Sequence, residues 1–315
     1  LYSAPLVLSI SDATPETTIR FTLDGSVPDE THGLVYTAPV EIATTTIVRA
    51  IAYKGGSSSE VATRTYLFPQ HVLQQTDASV VANGYPGEWI DQAGINWEAW
   101  LDGAHPGASY GLDANVLAPY DQAQLIEWLR AVPTLSLVMP KEDWFGYDPA
   151  AGRFGIYVNA TEQTDAWDRL CSAEWIAPDG SGFQVNCGVG IQGGSSTSPQ
   201  NRNQLSMSLK FKSQFGPSKL VYKLFDDSLI DEFDILTVEA GNQRSINANG
   251  PLNWKIHAQE LMDAFMMRLH AAMGGVTPHV RPMPLYLNGI YWGLYNIHER
   301  PDQRFGAAYG GGEPE

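Results

Sequence analysis

Residues with the types and spacing that chemistry requires occur in two segments of this sequence. The first is the glycine-rich stretch 188–194, which matches GxGxxG. A dinucleotide fingerprint needs a helix directly after the glycines, and the polar run 195–199 opens none, so that interpretation fails. A glycine-rich turn between strands can instead lie over phosphates, or it can be a β-bulge with a flexible loop. The glycines alone leave both interpretations open.

The second segment is the end of a hairpin. Residues 280–287 and 291–297 alternate as strands, and the Asn-Gly pair at 288–289 predicts a tight turn with positive φ at both positions. The second strand leaves through Glu299 and Arg300. A carboxylate at this mouth could contact a ligand, or it could form a surface pair with its neighbour.

No other set of residues has a recognisable catalytic or metal-binding spacing. Neighbouring carboxylates between strands are predicted to be solvated loop charges. The histidines of the second half show no HExxH pairing: His257, His270, His279 and His298. The sequence therefore nominates no catalytic residue and no metal ligand.

The composition narrows the function class. The 315 residues carry 19 Lys+Arg against 35 Asp+Glu, a net charge of −16. This excess of acid argues against binding nucleic-acid phosphates, although a local cationic pocket or Mg²⁺ would still accept a phosphorylated ligand. No apolar run reaches the length of a membrane span. Few lysines, many aromatics and polar loops favour a secreted or cell-surface protein, and the opening Leu1-Tyr2-Ser3 predicts a piece of a longer chain.

The two cysteines, Cys171 and Cys187, flank a Pro-Asp-Gly turn. A hairpin at this turn would bring them together across two strands. A disulfide between them is expected outside the cell, and two buried thiols are the alternative.

The predicted elements indicate an α+β fold. Strands are expected at 135–139, 155–158, 170–176, 183–191, 205–212, 221–224 and 235–238. A helix over 253–273 has one apolar face that we expect to pack across a mostly antiparallel sheet; that face comprises Ala258, Leu261, Met262, Phe265, Met266, Leu269, Ala272 and Met273.

Residues 1–68 predict short strands at regular spacing with polar turns, an immunoglobulin-like β-sandwich. The marks TLDGSxP, LVYTAPV and RAIAY resemble the small sandwich associated with chitobiases and hexosaminidases, related to fibronectin type III. The resemblance implies a domain that accompanies extracellular enzymes as a spacer or a packing partner.

Residues 69–132 form an irregular connector with one helix predicted over 122–129. Four tryptophans could form a platform for a glycan, or they could clamp the segment onto its neighbour: Trp89, Trp97, Trp100 and Trp128.

Residues 133–315 resemble the CotH, or spore-coat-H-like, atypical kinase family of secreted bacterial proteins. The resemblance rests on GFQVNCGVGIQGGSS, LTVEAGNQRSI and LYLNGIYWGLYNIHERPDQRF. It implies a kinase first lobe and ATP- and Mg²⁺-dependent phosphotransfer to extracellular or coat proteins. The nucleotide-binding residues so implied are Gly190, Gly193, Gly194, Ser195, Arg202, Lys210 and Glu299.

Two departures count against activity. Active relatives place a lysine where this chain has Gln204, and Arg202 or Lys210 would have to supply its charge. The family's catalytic and Mg²⁺-binding aspartates lie in a second lobe, downstream of this sequence. The alternatives are therefore an incomplete or inactive phosphotransferase, a non-catalytic structural or adhesive extracellular module, and a carbohydrate-binding accessory protein.

Overall fold

The computed structural model describes residues 1–91, 93–94, 108–112, 114–194, 197, 204–240 and 261–312. These residues form a mixed α+β structure dominated by strands, which confirms the predicted class. The strands are β1 Leu6–Leu8, β2 Thr18–Thr22, β3 Leu34–Val35, β4 Val40–Ile42, β5 Thr46–Lys54, β6 Ser57–Ser58, β7 Ala62–Tyr66, β8 Thr134–Val138, β9 Tyr147–Asp148, β10 Arg153–Phe154, β11 Arg169–Ile176, β12 Gly182–Ile191, β13 Met207–Lys210, β14 Leu220–Val221, β15 Glu232–Phe233, β16 Ile235–Glu239, β17 Val280–Leu287 and β18 Ile290–Glu299. The helices are α1 Pro69–Val72, α2 Asp77–Ala82, α3 Ala114–Leu117, α4 Gln122–Ala131, α5 Lys141–Phe145, α6 Met262–Ala272 and α7 Gln303–Gly310, with a 3₁₀ turn at Asp165–Trp167.

The N-terminal region consists of two small sheets. In the first sheet, strands β3, β2, β5 and β6 are hydrogen-bonded in that order, and β7 pairs with residues 46–50 of β5. In the second sheet, β1 pairs with β4. A buried cluster of Ile42, Val48, Tyr66 and Phe68 joins the two sheets. This cluster lies between the two sheets, and β5 is buried on both faces, since consecutive residues 47–49 are all buried.

The second region is a closed barrel of seven strands in the order β11, β12, β13, β16, β18, β17 and β8. Closure comes from a parallel pairing of β17 with β8, in which Leu285, Tyr286 and Leu287 face Leu135, Ser136 and Leu137. All other pairs around the barrel are antiparallel. The strand pairs are therefore mostly antiparallel, as predicted. The sequence did not predict that the sheet closes into a barrel.

The hairpin of β17 and β18 has the predicted turn. Asn288 has φ 48° and Gly289 has φ 77°. The Asn288 side chain also accepts from Met139 N at 3.0 Å and donates to Met139 O at 2.8 Å. It thereby fixes the hairpin to the end of β8, at the seam where the barrel closes.

Both cysteines lie inside the barrel. Cys171 faces Cys187 across the β11–β12 ladder, as the predicted hairpin requires. They are free thiols, which corrects the expected disulfide. Complete burial raises the pKa of Cys171 to about 12 and that of Cys187 well above its usual value. Both side chains therefore act as protonated, apolar core residues.

Two other expectations are corrected. Residues 155–158 form no strand, because Ile156 N and Tyr157 N donate to Asp143 O and Trp144 O and so fold the segment against α5. The apolar face of α6 does not pack on the sheet: Phe265 is 63 % exposed and Met273 78 %. Residues 253–260 of the predicted helix lie outside the described residues. No described helix is both long and apolar enough to span a membrane.

A buried carboxylate joins the two regions. Glu174, on β11, is 4 % exposed. It accepts from Thr65 N at 2.7 Å and from Arg64 Nη1 at 2.9 Å, both on β7. Thr65 Oγ1 also lies 2.8 Å from Ser136 Oγ on β8. Strand β7 thus lies against the outer face of the barrel.

Candidate functional site

The glycine-rich strand β12 turns its glycines to the outside of the barrel. Val189 and Ile191 lie in the core, so the alternation of the strand places Gly188 and Gly190 on the outer face. A Cβ added at Gly188 would collide with the Phe215 ring. One added at Gly190 would lie 2.5 Å from Asp168 Oδ1. These two glycines therefore make room for side chains of the same chain.

Asp168 anchors a network of charged groups over this strand. Its Oδ1 accepts from Lys210 Nζ at 2.8 Å, and Lys210 also donates to Asp165 at 3.2 Å. Lys212 Nζ lies 2.6 Å from the second oxygen of Asp165. Hydrogen bonds from Lys212 and Lys210 hold the pKa of Asp165 below its usual value. Lys210, predicted to contact a nucleotide, thus contacts two carboxylates.

The rest of the glycine-rich stretch lies where β12 leaves the barrel. Gly193 has φ 140°, and its carbonyl accepts from Gln163 Nε2 at 2.5 Å. Gly194 borders open space, since nothing lies within 4 Å of an added Cβ. The predicted site residues Ser195 and Arg202 lie outside the described residues. Gly194 therefore has free space beside its backbone for a ligand, whereas Gly190 does not.

Gln204 has a structural role that its sequence position does not reveal. Its amide Nε2 donates to Trp292 O at 2.7 Å. The same amide lies against Gly293, where an added Cβ would collide with Gln204 Nε2. The residue that stands in place of the family's lysine therefore holds the start of β18 to the segment before β13.

Glu299 ends β18 in a buried cluster. It is 4 % exposed. Its Oε2 accepts from His279 N at 2.8 Å and lies 2.9 Å from His279 Nδ1. Its Oε1 accepts from Tyr309 OH at 2.7 Å, and Tyr309 OH is also 2.8 Å from Ser228 Oγ. Partial burial raises the pKa of Tyr309, so its hydroxyl stays protonated.

The Glu299 cluster forms one wall of a cavity of about 540 Å³ between α7 and the segment 229–235. Phe233 and Phe305 supply apolar surface, and Arg300 and Arg304 lie at its edge among several acids. Glu299 therefore pairs with His279 and Tyr309, and not with Arg300 as the surface interpretation expected. Gly190 and Lys210 do not line this cavity.

A third acidic group lies on the outer face of β16. Burial, followed by the charge of Asp263, raises the pKa of Glu239, although His298 acts to lower it. His298 Nε2 lies 3.8 Å from Glu239 Oε2. Among the described residues, no three His, Cys, Asp or Glu side chains converge as metal ligands would.

The contacts on the outer face of β12 determine whether this face fits ATP and Mg²⁺. A triphosphate needs cations and open backbone N–H groups. At Gly190 the structure instead places a buried carboxylate, whose second oxygen, Asp168 Oδ2, has no partner among the described residues. The nearest ammonium, Lys210, already binds that carboxylate. The described residues of this face therefore do not fit a triphosphate.

Of the four tryptophans, Trp89 follows the packing alternative. Trp89 is 4 % exposed and lies in the barrel-side core, with ring centroids 5.6–6.1 Å from Tyr110, Phe145, Tyr157 and Trp292. Trp128 is exposed and pairs with Tyr120. Trp97 and Trp100 lie outside the described residues. The described tryptophans do not form a shared platform for a glycan.

Comparison with known proteins gave matches to two family models. Residues 2–66 match the family model described as Fn3 associated. Residues 197–313 match the family model described as CotH kinase protein. A comparison with curated proteins found no match. The chain thus matches the Fn3 associated model over its N-terminal region and the CotH kinase protein model over its C-terminal region.

Proposed function

We propose that the described part of this chain is an extracellular scaffold of the CotH kinase type that presents a folded surface to a cell-surface or secreted protein and does not itself transfer phosphate. The observation that carries the proposal is the Asp168–Lys210 pair over Gly190, with an N–O distance of 2.8 Å. A carboxylate in the place of a phosphate repels phosphate, and it neutralises the cation that would attract it.

The charge and the assembly of the chain support the same conclusion. A net charge of −16 disfavours binding of polyanions and keeps a protein soluble. The buried link from Glu174 to β7 holds the Fn3-associated sheets against the barrel. We also propose that the protein is secreted, because its lysine content is low and an Fn3-associated region precedes the barrel.

Calorimetric titration of the whole chain with Mg-ATP tests this proposal. We expect no binding heat at millimolar nucleotide. Lys210→Met and the matched control Lys219→Met, which removes an exposed lysine paired with Glu232 at 2.9 Å, distinguish the outcomes. Binding by the wild type that Lys210→Met abolishes and Lys219→Met preserves would overturn the proposal.

A second candidate function is ATP- and Mg²⁺-dependent phosphotransfer to hydroxyl groups of extracellular proteins. The match of residues 197–313 to the CotH kinase protein model favours it. The cavity beside Glu299, about 540 Å³, also has the size of a small-molecule site. Cationic contacts to phosphate would then come from Arg300 and Arg304, which line this cavity, and from the predicted residue Arg202, which lies outside the described residues.

Transfer of label from γ-labelled ATP to the chain or to an added acceptor protein tests this candidate. It predicts activity that Arg202→Ala removes and that Arg153→Ala, a control at an exposed pair with Asp148, retains. Gln204→Lys should raise the activity if the family's lysine is what this chain lacks. Absence of label with both the wild type and Gln204→Lys would refute it.

A further inference from the structure

A second cavity lies between the Fn3-associated sheets and the barrel. This interdomain cleft, about 620 Å³, is lined by loops of the N-terminal sheets, by α1, α2 and the residues after them, and by the β17–β18 turn. Its size falls in the range of small-molecule sites, which often lie at domain interfaces. It is separate from the glycine-rich strand and from the cavity beside Glu299.

The walls of the cleft are fixed by hydrogen bonds. Gln75 Nε2 donates to Tyr110 O at 2.6 Å and to Tyr291 O at 2.9 Å, and its Oε1 accepts from Tyr291 N at 2.9 Å. On the opposite side, Gly289 approaches Thr45 so closely that an added Cβ would lie 3.2 Å from Thr45 Cγ2. A preformed cleft of this kind costs little ordering when a ligand binds.

Opposite charges line the cleft. Lys141 Nζ lies 5.9 Å from the centre of the Tyr85 ring and 3.3 Å from Asn83 O. Although partial burial acts to raise it, the pKa of Asp24 is held below its usual value by hydrogen bonds from Ser26, so Asp24 is ionised at neutral pH. Burial raises the pKa of Tyr85 to about 12, so Tyr85 adds no charge. His71 is the remaining titratable side chain of the lining. The opposite charges of Asp24 and Lys141 cancel, which favours a ligand without net charge.

Neutral polar groups and apolar surface complete the lining. The side chains of Thr44, Gln74 and Asn83 add hydroxyl and amide groups that both donate and accept. Val72 and Val80, each 4 % exposed, supply buried apolar surface. A sugar has this same combination: hydroxyls that donate to a carboxylate and accept from an ammonium, and C–H faces that pack on apolar side chains.

We propose that the interdomain cleft binds a small neutral carbohydrate, a mono- or disaccharide, through hydrogen bonds to Asp24 and Lys141. The site differs from the aromatic platform that the tryptophans suggest, because its contacts are charged and amide groups. It holds whether or not the barrel binds a nucleotide.

The test uses the whole chain with four probes: glucose, galactose, cellobiose and lactose. Saturation-transfer NMR and calorimetry should detect millimolar binding of at least one. Asp24→Ala and Lys141→Met should each weaken it about tenfold or more, since each removes a charge-assisted hydrogen bond. Lys54→Met, at an exposed lysine 3.9 Å from Glu16, is the matched control and should leave binding unchanged.

Three results would overturn the proposal. The first is no binding of any of the four sugars to a correctly folded wild type. The second is binding that both Asp24→Ala and Lys141→Met leave intact, which would place the sugar elsewhere. The third is saturable binding of glycine in place of the sugars, which would identify a zwitterion site. Circular dichroism of each variant separates lost binding from lost folding.

Discussion

A methyl group at Gly190 should destabilise the barrel, because Asp168 occupies the space that the methyl group would need. In Gly190→Ala the new Cβ would lie 2.5 Å from Asp168 Oδ1. The carboxylate would have to retreat by about 0.5–1 Å to restore an ordinary contact. This retreat stretches its 2.8 Å bond from Lys210 Nζ.

The size of the effect follows from two costs and one gain. Overpacking of a close-packed site costs about 1–3 kcal/mol. Weakening a charge-assisted hydrogen bond costs up to about 1.5–3 kcal/mol. Alanine recovers about 0.5–1 kcal/mol of backbone entropy relative to glycine in a strand. Because the first two costs overlap, we expect a net loss of about 2–3 kcal/mol of unfolding free energy.

Urea unfolding followed by tryptophan fluorescence measures this loss. Gly194→Ala is the matched control in the same stretch, with nothing within 4 Å of its added Cβ. It should change stability by less than about 0.5 kcal/mol. Asp168→Ala completes a double-mutant cycle: without the carboxylate, Gly190→Ala should cost less than about 0.5 kcal/mol, a coupling energy of about 2 kcal/mol.

The packing interpretation would be refuted if Gly190→Ala were as mild as Gly194→Ala, or if its cost were the same with and without Asp168. A glycine required for nucleotide binding would behave differently. Its substitution would weaken Mg-ATP binding while leaving the urea midpoint unchanged.

Two further predictions concern the partly buried Glu239 and the buried Glu174. Burial, and then the charge of Asp263, raises the pKa of Glu239, so the folded state binds more protons than the unfolded state above pH 4.5. The free energy of unfolding therefore falls as pH rises through this window. Glu239→Gln should remove that fall, so the stability of the variant relative to the wild type should rise between about pH 4 and pH 7 in urea titrations. At the junction of the two regions, Glu174→Ala should cost about 2–4 kcal/mol because it leaves buried donors unpaired, whereas Arg64→Met should cost at most about 1 kcal/mol, since the Arg64 side chain is 63 % exposed; equal losses in urea unfolding would contradict this account.

Local sequence patterns predicted the seven strands of the barrel, but they wrongly predicted a strand at 155–158. The hairpins at 170–191 and 280–299, the Asn-Gly turn and the helix α4 follow from alternation and turn chemistry, which act over a few residues. Barrel closure could not be predicted in this way. The parallel pair of β8 and β17 joins segments about 150 residues apart, and no short-range pattern encodes their register.

The helix α6 shows a different limit. Its apolar periodicity correctly indicates that one face is apolar, but periodicity does not say what covers that face. In the structure Ala264 is the buried residue of α6, and Leu261, Phe265, Met266, Leu269 and Met273 are exposed. The amphipathic pattern therefore predicted the element and not its packing.

The glycine-rich stretch explains why a motif of this kind remains ambiguous until the fold is known. A glycine is required wherever something approaches the backbone closely, and the pattern GxGxxG does not specify whether that something is a phosphate or a side chain. At Gly190 it is Asp168, on a segment that β11 brings alongside β12. Ser208 lies opposite Gly190, and Lys210 lies two residues further along β13. The positive charge of Lys210 offsets the cost of burying the Asp168 carboxylate. Glycine, carboxylate and lysine thus explain one another without a ligand, and a phosphate-binding interpretation of this strand would first have to displace Asp168.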